Sequence, residues 1–451
     1  MLAAFLILAA MPDWVPARWY SSDPKSLELI AQTPINCVLL ERENWSEAFN
    51  RAAAERGIAT LGVVHPGPDA ADHARKAAGL RMSGVVLEGD FDPKVRNALQ
   101  DSKIVMIELP SRRNMRLGDL NSPVIGTYQG VWPGVQIEQN GSAKAAPSGA
   151  PWIDTNTGFL RFVRAYTTKS VWIANVPPEK TVISIQRYLQ AIADAEISGA
   201  RWVVGLDVDF NKRLLARDPK ALADWKRIGA ELSFYQSHKE WRGMGPHSNL
   251  ALVEDVGSGA LLSGSVLDMI AVKHTPVRPV PNPKLSDDAM KNTKMAVDVD
   301  PSALTPEQKE VLRNYTRGGG TLLSAPPGWK FPLPKDNGIT LAKDDFAKLD
   351  EIWKEVNGMT GRNNLGARLF NVSSMLSNLL EAPSGEQLVL HLVNYTDFPV
   401  DAITAHVLGT YHHARLLAPD GTSKDLPVYP VEESTGIDID KVDVVAAIIV
   451  E

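Results

Sequence analysis

The chain has 451 residues, 44% of them hydrophobic and 22% charged, which excludes wholesale disorder and fits about two to four domains. Lys and Arg number 47 against 53 Asp and Glu, a net charge of −6, so the basic footprint of a nucleic-acid binder is missing. The single cysteine, Cys37, excludes an intrachain disulfide and any Cys-based zinc or iron–sulfur site.

Met1 to Met11, MLAAFLILAAM, is wholly apolar. It is too short to span ~30 Å of hydrocarbon, which takes about 20 residues. It has the length of the hydrophobic region of a signal peptide, with Ala9 and Ala10 near a cleavage position but no basic residue before it. The expectation is a secreted or periplasmic bacterial protein; the alternative is a cytoplasmic one in which the segment is an ordinary buried element. No other apolar run reaches spanning length, so no membrane insertion is expected.

Through the first half, short apolar runs alternate with amphipathic helical stretches. The strand-like runs are Ala17–Tyr20, Asn36–Glu41, Ile58–His65, Gly84–Asp90, Lys103–Leu109, Val124–Gly130, Ser170–Asn175 and Arg201–Asp207. Near-continuous apolar strands alternating with helices argue for a parallel sheet covered on both faces. Eight such units match a (β/α)8 TIM barrel over residues 1–245; a doubly wound open sheet is the alternative. Residues 246–340 repeat the strand–helix alternation. Strands are expected at Asn249–Val256, Thr275–Val280, Lys294–Asp298 and Thr321–Ser324, with a capping-box helix opening at Thr305-Pro306-Glu307-Gln308 and closing at Gly318-Gly319-Gly320. This reads as a small flavodoxin- or amidotransferase-like α/β domain. Residues 341–451 begin with a helix at Asp344–Val356 and continue as short runs with turn signals at Pro383-Ser384-Gly385 and Pro419-Asp420-Gly421, which suggests a small antiparallel β-sandwich.

In such barrels chemistry sits at the carboxyl ends of the strands. Read in order, these ends offer Glu41, His65, Glu88 with Asp90, Glu108, Tyr128 with Gln129, Asn175, and Asp207 with Asp209. The long segment after the sixth strand adds Trp132, Trp152, Asp154 and Asn156, and long loops at this end carry function. Paired carboxylates can act as acid and as nucleophile or base on a glycosidic bond, while aromatic faces supply apolar area for sugar rings. The reading is a glycoside hydrolase with Glu88 as general acid and Glu108 as nucleophile or base. Glu41, Asp207 and Asp209 are substitutes for either role, and Gln129, Trp132, Trp152, Asp154, Asn156 and Asn175 hold the sugar. His65 and Asp90 complete the rim. A lone strand-end carboxylate is more often a salt-bridge partner or a helix cap, and tryptophans inside strands, such as Trp172 and Trp202, are assigned to packing.

Other chemistries fit less well. Gly257-Ser258-Gly259 follows a strand, but Leu262 stands where a dinucleotide fingerprint needs its third glycine. His406, His412 and His413 lack a carboxylate at metal-ligand spacing, and there is no P-loop, HExxH or G-x-S-x-G. No cofactor and no metal are expected. Rim carboxylates with His65 leave a metal-dependent hydrolase or lyase as a weak third reading.

The order barrel, flavodoxin-like domain and β-sandwich resembles the β-galactosidases of glycoside hydrolase family 42. In the middle block the resemblance is carried by Leu304-Thr305-Pro306-Glu307-Gln308 and by Tyr315 to Leu323, YTRGGGTLL. It implies a carbohydrate substrate and a homo-oligomer contact through the middle domain. That family places Asn-Glu at the end of strand four and Glu at the end of strand seven; here strand four ends Leu87-Glu88-Gly89-Asp90 and strand seven ends Ala174-Asn175. The acid role carries over to Glu88, the nucleophile does not, and the mechanism is not that of family 42. The alternative function is a non-catalytic carbohydrate-binding protein on a barrel scaffold.

Overall fold

The computed structural model describes residues 13–100, 105–118, 122–146, 149–272 and 274–451. The signal-peptide-like segment Met1–Met11 lies outside them. The first eight strands are β1 (Pro16–Arg18), β2 (Cys37–Leu40), β3 (Ala59–Val64), β4 (Gly84–Glu88), β5 (Val105–Leu109), β6 (Val124–Thr127), β7 (Ser170–Ile173) and β8 (Arg201–Trp202). All neighbours pair in parallel in sequence order. A parallel bridge between Ala17 and Val204, with Arg18 N donating to the Val204 carbonyl at 2.7 Å, brings the last strand back to the first. The sheet is a nearly closed TIM-type barrel, which excludes the open-sheet alternative.

Alternation sorts the side chains. Cys37, Leu39, Leu61, Val63, Val86, Ile107, Leu109, Val124, Trp172 and Val203 form one buried cluster, the barrel interior. Their neighbours Val38, Leu40, Val64, Val85, Leu87, Ile125, Val171 and Ile173 belong to a larger cluster shared with the surrounding helices. Both faces are apolar because both are buried. The eighth strand is shorter than the apolar run Arg201–Asp207 implies. Asp207 is instead the N-cap of a helix, Val208–Leu215, accepting from Phe210 N at 2.9 Å.

Strands β9 (Leu250–Glu254), β10 (Arg278–Pro281), β11 (Met295–Asp298) and β12 (Thr321–Ser324) make a second parallel sheet in the order β10-β9-β11-β12. The Thr305–Gln308 capping box is present as read, at the start of helix Pro306–Arg317. After helix Lys343–Thr360, two antiparallel sheets of six and four strands enclose their own apolar core. The six-stranded sheet begins with Gly245–Pro246, which pairs with Met375–Glu381.

The three regions meet around helices Thr157–Tyr166 and Ile185–Glu196. Asp268, from the middle region, accepts from Thr155 Oγ1, Thr157 Oγ1 and Gly158 N at 2.9–3.0 Å. Asp194 accepts from Asn156 N and Nδ2 at 2.9 Å and from the Tyr395 hydroxyl at 2.6 Å. Arg112 reaches from the barrel to the Leu262 carbonyl at 2.7 Å and to Asn156 Oδ1 at 3.1 Å. Gly158 is required here, because a Cβ on it would lie 2.2 Å from the Gly264 carbonyl oxygen.

Burial pushes the Asp268 carboxyl up to about 7; the Thr157 and Thr155 hydroxyls oppose the shift and the nearby Asp194 adds to it. Its pKa is raised on folding, so the stability it contributes is complete below about pH 4 and is lost as pH rises through about 7. Asp268→Asn keeps the acceptor and removes the titration. The variant's unfolding free energy, from denaturant titration, should therefore fall less between pH 5 and pH 8 than the wild type's, by at least about 1 kcal/mol. Equal slopes would contradict this.

Candidate active site at the carboxyl rim of the barrel

The inward-facing parity of each strand, continued past its last paired residue, sets the rim. On β1 it gives Arg18 and then Tyr20. On β2 it gives Glu41 after Leu39, on β3 His65 after Val63, and on β4 Glu88 after Val86. These side chains meet. Arg18, 3% exposed, donates from Nη1 to Glu41 Oε1 at 2.9 Å and from Nη2 to Glu88 Oε2. Glu41 Oε2 lies 3.1 Å from His65 Nε2. One buried guanidinium thus holds carboxylates from two strands, and a half-exposed imidazole sits on the outer one. A buried Arg without such partners would be costly, so the triad is as much a folding constraint as a chemical one.

The electrostatics follow. Burial raises the Glu41 carboxyl, but the His65 hydrogen bond and the Arg18 charge outweigh it and hold the group below its usual range. The same hydrogen bond from Glu41 raises His65, against partial burial. Burial, with the Glu41 and Glu88 charges, pushes the Tyr20 hydroxyl up to about 12, so it stays a neutral donor. Tyr128 is raised by burial and then by the charges of Asp90 and Glu88, which places it on the same rim.

Asp90 borders the group. Its Oδ1 accepts from Ser111 N at 2.9 Å and its Oδ2 from Asn337 Nδ2 at 2.8 Å. Gln129 Nε2 donates to the Asn337 carbonyl at 2.6 Å, and Arg113 donates to the Pro334 carbonyl. The segment around Pro334–Asn337, from beyond the middle sheet, therefore lies across the β4–β6 side of the barrel mouth.

Several candidates stand elsewhere. Glu108 is opposite Leu87 in the β4–β5 register, not opposite Glu88, so it points out of the barrel, where it pairs with Arg116 at 2.5 Å and approaches Arg96 at 3.9 Å. Asp207 is 2% exposed and occupied as a cap, with the Tyr188 hydroxyl at 2.9 Å and Ile183 N at 3.1 Å. Asp209 does not share a face with it; it lies in the first turn of the helix, exposed and paired with Arg213 at 2.8 Å. Asn156 is fully buried and spent on the Val131 backbone, Arg112 and Asp194. Trp152 is core, edge-on to Phe346 at 5.3 Å. Trp132 packs edge-on to Trp202 and Tyr188 at 5.1 and 5.4 Å. Asp154 bonds Gln136 Nε2 at 2.5 Å in the two-residue ladder Gly134–Val135 with Ile153–Asp154. Asn175 donates to the Gly130 carbonyl at 2.7 Å. Asp207 needed only the recognition that an Asp before an amphipathic stretch caps a helix. Arg18 and Tyr20 were missed altogether. The signal for Arg18 was a cation inside an otherwise apolar strand, which demands a buried partner; for Asn337 there was none.

Among the described residues no group of three or more His, Cys, Asp or Glu is spaced to hold a metal ion, and no helix is long and apolar enough to cross a membrane.

No family model and no curated sequence matches the chain. Solved structures do. The alpha-L-fucosidase isoenzyme 2 from Paenibacillus thiaminolyticus superposes with a TM-score of 0.61 at 10% identity, over 97% of this chain and 98% of that one. A rhamnosidase from Novosphingobium sp. PP1Y gives 0.43 at 11% identity over 89% of this chain and 39% of that one. The trehalose-6-phosphate hydrolase of Bacillus licheniformis gives 0.37 at 10% identity, over 96% and 99% of the two chains. At 10% identity the likeness to the fucosidase structure is one of fold alone.

Glu41 is the dominant cause of the raised His65 pKa. In a proton NMR titration, His65 should titrate above the ordinary histidine value in the wild type and move down in Glu41→Gln. An unchanged midpoint would show that the pair is not formed in solution.

Proposed function

We propose that the chain is a glycoside hydrolase acting on an O-glycosidic bond at the carboxyl rim of the barrel, with Glu41 and Glu88 as its carboxylate pair. The observation that carries this is the convergence of these two carboxylates on Arg18 at the mouth of a barrel whose fold neighbour is a fucosidase. Glu41 replaces Glu108 as nucleophile or base, since its carboxyl is held in the charged form. Glu88, ion-paired to the same guanidinium, is the second carboxylate of the pair. Tyr20, Tyr128 and His65 line the approach and offer donors to sugar hydroxyls. Asp90, fixed by Ser111 and Asn337, bounds the site. The division into barrel (1–245), flavodoxin- or amidotransferase-like domain (246–340) and terminal helix with β-sandwich (341–451) belongs to the same reading, with the last two as scaffold. It is supported by a parallel sheet within 246–340 and two antiparallel sheets mostly within 341–451, the six-stranded one taking in Gly245–Pro246.

A specific observation favours a second reading, a carbohydrate-binding protein without turnover. Every inward-facing rim carboxylate already has a partner: Glu41 and Glu88 share Arg18, and Asp90 is held by Ser111 and Asn337.

The test is a turnover screen on aryl glycosides, α-L-fucosides, α-L-rhamnosides and β-galactosides foremost, and on polysaccharides. Wild type should release sugar, and Glu41→Ala and Glu88→Ala should each lower kcat by roughly 10²–10⁴-fold. Full activity in both variants would refute the assignment. Sugar-induced thermal stabilisation without turnover, lost in His65→Ala, would establish the second reading instead.

A further inference from the structure

A cavity of about 500 Å³ lies at the opposite, amino-terminal end of the barrel, between the starts of β7 and β8 and the six-stranded sheet. Four arginines line it, Arg161, Arg164, Arg201 and Arg242, together with Asp13 and Trp241. The acids are already committed. Arg201 pairs with Glu196 at 3.2 Å and with Asp13 at 2.5 Å, and Arg242 pairs with the same two at 3.1 and 3.7 Å. That leaves two cations over. Among the described residues neither Arg161 nor Arg164 has a carboxylate in ion-pair range. Arg161 is 6% exposed; its Nη2 donates to the Ser377 carbonyl at 2.7 Å and its Nε has no partner. Asp194 and Asp268 act on it only at longer range. Arg164 donates to the Lys169 and Arg242 carbonyls at 2.7 and 2.9 Å. Burial, followed by the like charge of Arg242, disfavours its charged form.

Two guanidinium groups with no carboxylate in ion-pair range, lining a partly open cavity, are an electrostatic cost that a bound anion would lower. Guanidinium is also the group best matched to the paired oxygens of a tetrahedral anion. Gly199 keeps the space, since a Cβ there would stand 2.9 Å from Arg164 Nε. We propose that this cavity binds a small oxyanion, a phosphate or sulfate group carried free or on a sugar, with Arg161 and Arg164 as its principal ligands. A cavity of this size falls in the range of small-molecule sites and has room for more than the bare ion, and Trp241 offers apolar area beside it. The site lies on the face of the barrel away from Glu41 and Glu88, so it stands or falls independently of the glycosidase reading.

The test is thermal denaturation and calorimetric titration of the full chain with sodium phosphate, sodium sulfate and glucose 6-phosphate, against sodium chloride at equal ionic strength. Phosphate should raise the melting temperature saturably and chloride should not. Arg164→Gln should weaken phosphate binding about tenfold or more, and Arg164→Lys, which keeps the charge and provides a second folded comparison, should lose less. Tighter binding of glucose 6-phosphate than of phosphate would identify a phosphorylated sugar as the occupant; equal binding would identify the free ion. The inference is overturned if phosphate, sulfate and chloride act alike, or if Arg164→Gln binds phosphate as the wild type does.

Discussion

The arrangement of this protein depends on a handful of carboxylates buried where three regions of the chain meet. Asp194 is fully buried and Asp268 nearly so, and each accepts from donors in the segment Thr155–Gly158. A buried carboxylate is tolerated only when its lone pairs are filled. The segment leading into helix Thr157–Tyr166 therefore has to sit between the barrel helix bearing Asp194 and the middle-region helix bearing Asp268. Tyr395 adds the terminal sandwich to the same junction through its hydroxyl. Such a junction contributes less net stability than an apolar one of equal size, but it admits one relative placement of the pieces.

At the rim the same physics works on a smaller scale. Arg18 is inside the barrel because its strand parity puts it there, and there it pairs with both Glu41 and Glu88. The placement of the two carboxylates is thereby tied to a cation belonging to the first strand.

The eight strands were legible because nearly all are apolar runs between turn signals; the first lies at Pro16–Arg18 instead of Ala17–Tyr20, and the eighth is only Arg201–Trp202. The middle sheet was equally legible, down to the capping box at Thr305. Which face a strand residue takes was not legible. In Lys103–Leu109 the apolar side chains fall on both parities, as they must in a sheet buried on both sides, so Glu108 looked as good a rim residue as Glu88. Only the β4–β5 register separates them. Asp207 failed for a different reason: the apolar run Arg201–Leu206 continues past the strand into the turn, and the helix behind it took the acid as its cap. Asn156 and Trp152, which read as sugar contacts in a long loop, were claimed by regions more than a hundred residues away in sequence or by the junction itself. Long-range claims of that kind leave no local trace.

The segment that donates Asn337 to Asp90 is not part of the barrel. It roofs the β4–β6 side of the mouth and leaves the β1–β3 side, where His65 stands half in water, as the open one. The charged groups of the rim and the segment that covers part of them are thus supplied by separate stretches of chain.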